Sequence, residues 1–159
     1  MDGYPCFPMF IDLSEKHIVV VGAGTVAARR VRTLIDFTSH ITVVAPDVHP
    51  DIENLEHVGK VAVLRKNYED SDLQNADMVL AATDDSALNA LISTWCRERG
   101  IPVNVSSDRS LCDFYFPGVV RRENVVIGVT ASGTDHHEAK TVTDQIKQYL
   151  ANSGTSHKE

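Results

Sequence analysis

The chain has 159 residues, a formal charge of −7 and a hydrophobic content of 43%, values typical of one globular domain. The negative charge and the lack of a long Lys/Arg run predict no nucleic-acid partner. The apolar runs are too short to cross a bilayer and the N-terminus has no secretory signal, so we expect a cytoplasmic location without membrane contact. Three cysteines far apart in sequence predict reduced thiols rather than disulfides or a zinc site.

The first part of the chain predicts two strands, a glycine turn and a helix. A short apolar run at 9–13 and a β-branched run at 17–21 predict the strands. Gly22-Ala23-Gly24 follows directly and is the predicted turn. The apolar residues of the next segment recur at helical spacing, namely Val26, Ala27, Val31, Leu34 and Ile35. Another β run at 41–45 ends at Pro46, which completes the order and size of a βαβ unit.

The alternation of strand and helix patterns continues to residue 105. Strands are predicted at 61–64, 78–82 and 101–105, helices at 50–58 and 85–100, and at most a helical turn at 71–75. The apolar face of the helix at 85–100 is formed by Leu88, Leu91, Ile92 and Trp95. This order predicts an α/β fold, a Rossmann-like doubly wound parallel sheet with helices on both faces.

The pattern changes after residue 106. Runs at 114–120 and 125–130 predict an antiparallel hairpin, and a final helix is predicted at 135–150. Its apolar stripe consists of Ala139, Val142, Ile146 and Tyr149. Because too few residues remain to cover both faces of the hairpin, we expect it to pack on another subunit. The predicted division of the chain is 1–106, 107–151 and a flexible polar tail at 152–159.

The glycine turn carries the strongest local signal. Gly22 permits a tight turn, Gly24 permits close approach of a pyrophosphate, and Ala27 permits close packing of helix on strand. The helix N-terminus offers free N–H groups and a partial positive charge to phosphates. Residues 22–26, which are Gly22, Ala23, Gly24, Thr25 and Val26, are therefore predicted to bind the cofactor, a nicotinamide dinucleotide. The alternative is a glycine turn that binds nothing.

Two neighbouring strand ends are predicted to complete the cofactor cleft, because ligands of open α/β sheets bind beyond the carboxyl ends of the strands. Ala45, Pro46 and Asp47 follow the strand at 41–45 and are assigned to the ribose. The absence of a basic residue there favours NAD over NADP. Thr83 and Asp84 follow the strand at 78–82 and either line the cleft or cap the next helix.

The end of the strand at 101–105 is the predicted position of the reacting groups. Asp108 is the only carboxylate immediately there, and it is either a general base or the first residue of a turn. Asp113 is a second, weaker candidate. His136 and His137 are adjacent on a helix and therefore point in different directions, so we predict no metal site and treat them as solvated or capping residues.

Taken together, these segments resemble the precorrin-2 dehydrogenase / sirohydrochlorin ferrochelatase family, the N-terminal module of siroheme synthase. The resemblance covers nearly the whole chain to residue 150. The matching segments, in chain order, are FPMFIDL at 7–13, VVVGAGTVA at 19–27, TVVAP at 42–46, AATDD at 81–85, PVNV at 102–105, CDFYFP at 112–117 and VVRR at 119–122.

This resemblance implies an oxidoreductase that uses NAD to convert precorrin-2 to sirohydrochlorin in siroheme and porphyrin biosynthesis. It also implies a homodimer with the hairpin and final helix at the interface, so that 1–106 is the NAD-binding part and 107–151 the dimerisation and substrate region. The substrate is a polycarboxylate, which makes Asn104, Arg121 and Arg122 candidate substrate-binding residues. The family's acid after Asn-Val-Val aligns with Ser107 here, and Asp108 follows it, so both are candidate catalytic residues.

The resemblance leaves three functions open for this chain. The first is NAD-dependent dehydrogenation of precorrin-2, with Asp108 accepting a proton. The second, favoured by a serine at 107, is a non-catalytic relative that binds a dinucleotide or a tetrapyrrole and has lost the active-site acid. The third is a chelatase that inserts iron into sirohydrochlorin, with His136 or Asp108 assisting metal entry.

Overall fold

A computed structural model describes residues 5–132 and 134–153 and divides the chain into two compact units. Residues Ile11–Phe114 form the first, here called the sheet unit. The described residues 5–10 and 115–153 belong to the second, here called the hairpin unit. Each unit is described by itself. Within the described residues, no helix combines the length and apolar character needed to span a membrane.

The sheet unit contains five parallel strands with the spatial order β3-β2-β1-β4-β5. Their bounds are β1 Ile18–Val21, β2 Ile41–Val44, β3 Ala62–Leu64, β4 Met78–Ala81 and β5 Val103–Val105. All four residues of β1 and of β4 are buried, as expected for central strands of a parallel sheet whose two faces are both covered. The chain reverses its direction of travel across the sheet between β1 and β4, which confirms the predicted doubly wound arrangement.

Three helices and one 3₁₀ turn connect these strands, and a second 3₁₀ turn follows β5. The helices are α1 Thr25–Leu34, α2 Pro50–His57 and α3 Ser86–Glu98, and the 3₁₀ turns are Asp70–Leu73 and Arg109–Leu111. The three helices and the turn Asp70–Leu73 lie within a few residues of their predicted bounds, whereas for Arg109–Leu111 the sequence offered only a turn beginning at Asp108. The face predicted for α3 is partly wrong, since Leu91 is exposed while Asn89, Ser93 and Cys96 are buried. Polar side chains are tolerated on this face because they hydrogen-bond to neighbouring loops, as Ser93 does to the carbonyl of Leu111.

The strand predicted at 9–13 is absent. These residues form no strand, and Met9, Phe10 and Ile11 are more than half exposed. A strand requires a hydrogen-bonded neighbour, and none pairs with this segment in the described part of the chain. Apolar composition alone therefore predicted a strand for which the described residues supply no partner strand.

The hairpin unit contains β6 Gly118–Arg122, β7 Val125–Val129 and α4 His136–Ser153. The two strands pair antiparallel around a turn in which Glu123 has a positive φ of 52°, which confirms the predicted hairpin. The stripe predicted for α4 is only partly correct, because Tyr149 is exposed while Thr143 is buried. Thr143 satisfies its hydroxyl by donating to the carbonyl of Ala139, and its side chain packs where Gly118 leaves room.

The compact units do not divide where the sequence placed the boundary. Residues 107–114 belong to the sheet unit because Asp113 accepts a hydrogen bond from the backbone of Val103 and the sulfur of Cys112 contacts Val105. The predicted tail at 152–159 also needs correction, since Asn152 and Ser153 are the last residues of α4. Residues 154–159 lie outside the described part of the chain.

Candidate functional site

A cleft of about 860 Å³ lies at the carboxyl end of the parallel sheet. It is formed entirely by the sheet unit, from the ends of β1, β2 and β4, the loops that follow β3 and β5, and the first turns of α1 and α3. All ten residues predicted to bind the cofactor line it, namely Gly22, Ala23, Gly24, Thr25, Val26, Ala45, Pro46, Asp47, Thr83 and Asp84. Three separate segments of the sequence therefore meet on one continuous surface, and their role in cofactor binding stays a prediction.

The two glycines of the turn serve different physical needs. Gly22 has φ +98°, and a Cβ there would lie 2.4 Å from the carbonyl oxygen of Ala82. Only glycine fits, because the turn after β1 presses against the end of β4. At Gly24 a Cβ would meet nothing within 4 Å, so this position faces open space. The bare backbone at Gly24 leaves the cleft wide at the first turn of α1.

The first turn of α1 is suited to a pyrophosphate. Gly24 is the N-cap, no side chain caps the turn, and no acidic residue lies within it. The first N–H groups of a helix have no partner inside the helix and carry a partial positive charge. Ala27 is fully buried, so helix and strand pack closely as predicted. The donors and the space therefore fit a dinucleotide diphosphate.

The loop after β2 forms the next wall of the cleft. Asp47 is exposed and forms no hydrogen bond or ion pair within the described part of the chain. His49 also lines the cleft, and its backbone N–H donates to the carbonyl of Ala23 at 2.9 Å. The ring of His49 caps α2 by accepting from the N–H of Asp51 at 3.1 Å. The loop is thus fixed to the glycine turn at one end and to α2 at the other.

The loop after β4 forms the opposite wall. The predicted alternative, that Thr83 or Asp84 caps the following helix, is wrong. Asp85 is the N-cap of α3 and accepts hydrogen bonds from the N–H groups of Ala87 and Leu88 at 2.9 and 3.0 Å. Asp84 is therefore not used for capping, and within the described residues its carboxylate has no protein partner.

A buried asparagine connects this wall to the end of β5. Asn89 is fully buried on α3, and its Oδ1 accepts from the hydroxyl of Thr83 at 2.7 Å and from its N–H at 3.2 Å. Its Nδ2 donates to the carbonyl of Thr83 at 3.0 Å and to the hydroxyl of Ser107 at 3.2 Å. The side-chain amide of Asn89 thereby links the loop after β4 to the loop after β5.

The two predicted catalytic residues do not line the cleft, although Ser106 does. Ser107 is held by Asn89. Asp108 is the N-cap of the 3₁₀ turn Arg109–Leu111, and it accepts from the hydroxyl and the N–H of Ser110 at 2.7 and 2.8 Å. These hydrogen bonds, first from the hydroxyl and then from the N–H, lower the pKa of Asp108 below its usual value. A carboxylate stabilised in this way is a weaker base, so the geometry favours the turn interpretation.

Two further predicted residues have structural partners. Asn104 is 3% exposed, and its Nδ2 donates to the carbonyl of Phe114 at 2.7 Å. It therefore fixes the loop after β5 rather than facing the cleft. Asp113 accepts from the backbone of Val103 and pairs with Arg97 at 3.3 Å. Its contacts account for it without a catalytic role.

The predicted substrate arginines belong to the hairpin unit. Arg121 and Arg122 are exposed on β6. Arg122 donates to the hydroxyl of Ser153 at 3.2 Å and to the carbonyl of Leu150 at 3.5 Å, at the end of α4. A cation at a helix C-terminus stabilises the helix, which gives Arg122 a structural role in addition to any contact with a substrate. Its role with substrate stays a prediction.

The sequence argument did not predict that residues after β3, or that His49, line the cleft. The carboxyl end of β3 contributes Asn67 and Tyr68 to the cleft. Burial, together with a hydrogen bond to Asp70, raises the pKa of Tyr68, so its phenol remains protonated as a donor. The rule that placed Asp47 at a strand end could have found Asn67 and Tyr68, because a strand was predicted at 61–64. Nothing in the local sequence signalled His49, whose capping role depends on Pro50 starting α2.

Comparison with known proteins agrees with this geometry. A family model described as "Putative NAD(P)-binding" matches residues 9–118. The chain belongs to this NAD(P)-binding family. The matched segment includes every residue that lines the cleft. Within the described residues, no group of three or more His, Cys, Asp or Glu side chains is placed to hold a metal ion.

Individual relatives are siroheme proteins. The siroheme synthase of Pseudomonas paraeruginosa (strain DSM 24068 / PA7) is 35% identical over 146 residues, which is 92% of this chain and 31% of that protein. The "Probable multifunctional siroheme biosynthesis protein HemA" of Ruminiclostridium josui is 36% identical over 146 residues, 91% of this chain and 28% of its own length. This chain thus spans less than a third of these curated relatives.

A solved structure supports the same relationship. The protein titled "SirC, precorrin-2 dehydrogenase" superposes with a TM-score of 0.77 at 25% sequence identity, over 91% of this chain and 70% of that one. The resemblance inferred from sequence segments is confirmed by these relatives, and the Rossmann-like fold is confirmed by the superposition.

Proposed function

We propose that this chain catalyses the NAD-dependent dehydrogenation of precorrin-2 to sirohydrochlorin, a step of siroheme biosynthesis. The observation that carries the proposal is the cleft, where an uncapped first turn of α1 and open space at Gly24 meet the carboxyl ends of the neighbouring strands. The relatives support the substrate, since they are siroheme synthases and a precorrin-2 dehydrogenase.

The chain's own residues would bind and orient the reactants. Backbone N–H groups of residues 24–26 would hold the pyrophosphate, and Asp47 the ribose. NAD, when bound, accepts the hydride that leaves the tetrapyrrole. Oxidation releases one further proton, so the balance is precorrin-2 and NAD⁺ giving sirohydrochlorin, NADH and H⁺. Of the carboxylates near the strand ends, Asp84 lines the cleft without a protein partner, whereas Asp108 is engaged in its turn.

A homodimer is the proposed assembly. The hairpin unit exposes large apolar side chains, and such exposure commonly marks a protein interface. Phe7 is 86% exposed, Tyr149 72% and Val125 58%. Light scattering at working concentration would give twice the chain mass, and Tyr149→Asp would lower it, whereas Gln148→Asp, the adjacent exposed position on α4, would not. A monomer for the unmodified chain would reject the dimer.

We place the reaction in the cytoplasm, as expected for an enzyme that uses the cellular pyridine nucleotide pool.

The test of the activity is NADH formation from freshly generated precorrin-2 and NAD, compared between the unmodified chain and Gly24→Asp. An aspartate at this N-cap meets no steric obstacle and would itself cap α1, so the fold is retained while the anion site is blocked. We expect NAD binding and turnover to be lost without a decrease in melting temperature. Thr94→Asp, exposed on α3, adds the same charge outside the cleft and should keep full activity.

A second function is favoured by one observation, the hydrogen bonding of residues 107 and 108. Ser107 is held by Asn89, and Asp108 by Ser110, which leaves no base from this segment in the cleft. A non-catalytic dinucleotide-binding relative would bind NAD in calorimetry and form no NADH. In that case Ser107→Asp, which restores the acid that the resembling family carries at this position, should create activity, whereas Ser107→Ala should not.

A further inference from the structure

His49 is fixed in the wall of the cleft by two hydrogen bonds. Its backbone N–H donates to the carbonyl of Ala23 at 2.9 Å, which ties it to the middle of the glycine turn. Its ring accepts from the N–H of Asp51 at 3.1 Å as the N-cap of α2. Both anchors lie within the sheet unit, so the ring is held in place before any ligand binds.

The capping bond also determines where the ring carries its proton. A histidine nitrogen that accepts a hydrogen bond bears no hydrogen, so Nδ1 is the bare nitrogen and Nε2 carries the N–H. Nε2 has no hydrogen-bond partner among the residues that the structure describes. The side chain is 31% exposed and lines the cleft. His49 therefore presents one directed donor whose partner is not supplied by the described protein.

Asp47 lies two residues earlier in the same loop and lines the same wall. Its carboxylate is an acceptor only, and it too has no protein partner in the described part of the chain. A donor and an acceptor on one loop of the cleft suit two adjacent hydroxyl groups, each of which both donates and accepts. A ribose presents such a pair, and the loop after the second strand is the position where Rossmann folds bind the ribose of the adenosine.

The charges in this part of the cleft oppose a phosphate. Asp47 is unpaired by any described cation. Arg32, on the neighbouring helix α1, is bound to Asp51 at 2.6 Å and is not among the residues that line the cleft. A 2′-phosphate would bring further negative charge beside the Asp47 carboxylate, and like charges at short range repel.

We propose that His49 is a cofactor-binding residue that acts with Asp47 on the adenosine ribose. The Nε2–H donates to a ribose hydroxyl oxygen, the Asp47 carboxylate accepts from a ribose hydroxyl, and the pair selects NAD over NADP. This inference rests on the proposed function for the presence of a dinucleotide, and it adds a residue and a selectivity to it.

The test is NAD binding by calorimetry for the unmodified chain and for His49→Asn. Asparagine retains the cap, since it is among the preferred N-cap residues, and removes the Nε2 donor. Loss of one hydrogen bond should weaken NAD binding about three- to tenfold with no change in melting temperature. His57→Asn, at the exposed end of α2 and outside the cleft, is the matched control and should bind NAD normally.

Analogues locate the contact. Two analogues of NAD lack either the 2′- or the 3′-hydroxyl of the adenosine ribose. For the analogue that lacks the hydroxyl bound by His49, the unmodified chain and His49→Asn should have equal affinity. Equal affinities of the unmodified chain and His49→Asn for NAD would overturn the inference and leave the proposed function intact. Tighter binding of NADP that depends on His49 would also overturn it. If the unmodified chain bound no dinucleotide, the proposed function itself would fail.

Discussion

The two units differ in how completely they bury their strands. In the sheet unit every residue of β1, β4 and β5 is buried. In the hairpin, Val120 alone among the ten strand residues is buried. The sheet unit therefore builds a core from its own residues, whereas the hairpin unit leaves much of its apolar surface exposed.

This difference separates two kinds of sequence information. A parallel sheet is covered on both faces by its own crossover helices, so its strands appear in the sequence as continuous β-branched runs. Such runs can be recognised from the sequence alone. A hairpin with one helix has only one face covered by that helix. The sequence of the hairpin does not show what packs against its other face. Mutations in the two units should accordingly differ in their consequences.

The largest effect is expected for Gly22→Ala in the sheet unit. The new Cβ would lie 2.4 Å from the carbonyl oxygen of Ala82, and the φ of +98° is unfavourable for any residue with a side chain. Backbone cannot move aside cheaply, so the free energy of unfolding should fall by about 4 kcal/mol, a large part of the total for a small domain. Denaturant melts would measure it.

Gly24→Ala is the matched control for this prediction. Its Cβ meets no atom within 4 Å, so the free energy of unfolding should change by less than about 1 kcal/mol while NAD affinity falls. Equal stability of both variants would contradict the assignment of Gly22 to packing and Gly24 to the ligand.

The next effect is expected for Asn89→Ala, which opens the connection between β4 and β5. Removing this amide leaves the N–H and the carbonyl of Thr83 without their partner, at a cost of about 3 kcal/mol in chemical denaturation. Asn54→Ala on exposed α2 is the control and should be nearly neutral. If Asn89→Ala and Asn54→Ala had the same free energy of unfolding, the hydrogen bonds of Asn89 would not stabilise the fold.

The role of Asn89 also shows where sequence reasoning stops. The strands, the glycine turn and the three segments of the cleft follow from local periodicity and from one rule about strand ends. Asn89 was hidden within a helix whose apolar face was assigned by hydrophobicity, and its partners lie 6 and 18 residues away in sequence. Hydrogen bonds between loops leave no periodic signal, so the role of Asn89 could not be predicted. The cap formed by His49 is local, but histidine is not among the preferred N-cap residues, so this residue carried no capping signal.

A smaller effect is expected in the hairpin unit from Gly118→Ala. The added Cβ would contact the hydroxyl, the Cβ and the methyl group of Thr143, so it would clash with a side chain rather than with backbone. Overpacking of this kind should cost about 2 kcal/mol. The double variant Gly118→Ala/Thr143→Ala should recover part of that loss, and thermal melts would detect it.

The control for this prediction lies on the paired strand. Gly128→Ala places its Cβ 3.8 Å from the side chain of Pro117, an ordinary contact, and should be tolerated. Failure of Thr143→Ala to rescue Gly118→Ala would show that α4 does not pack on β6 in solution through this pair.

The smallest effect concerns Asp108, whose lowered pKa arises from the hydroxyl and the N–H of Ser110. A group with a depressed folded-state pKa stabilises the fold above its unfolded pKa of about 4, and this contribution is lost as the pH falls through the folded value. Asp108→Asn keeps a capping oxygen and removes the charge. The variant should be slightly less stable than the unmodified chain at pH 7, and the gap should close as the pH falls below about 4.

The rate of NADH formation by Asp108→Asn tests whether Asp108 is the catalytic base. If Asp108 only begins the turn Arg109–Leu111, Asp108→Asn should form NADH at close to the unmodified rate across neutral pH. A collapse of turnover with unchanged stability would instead make Asp108 the base. That result would require the loop after β5 to move when substrate binds, because Asp108 does not line the cleft in the present geometry, although Ser110 engages only its Oδ1. The pH dependence of stability and the rate thus separate a carboxylate held for structure from one held for chemistry.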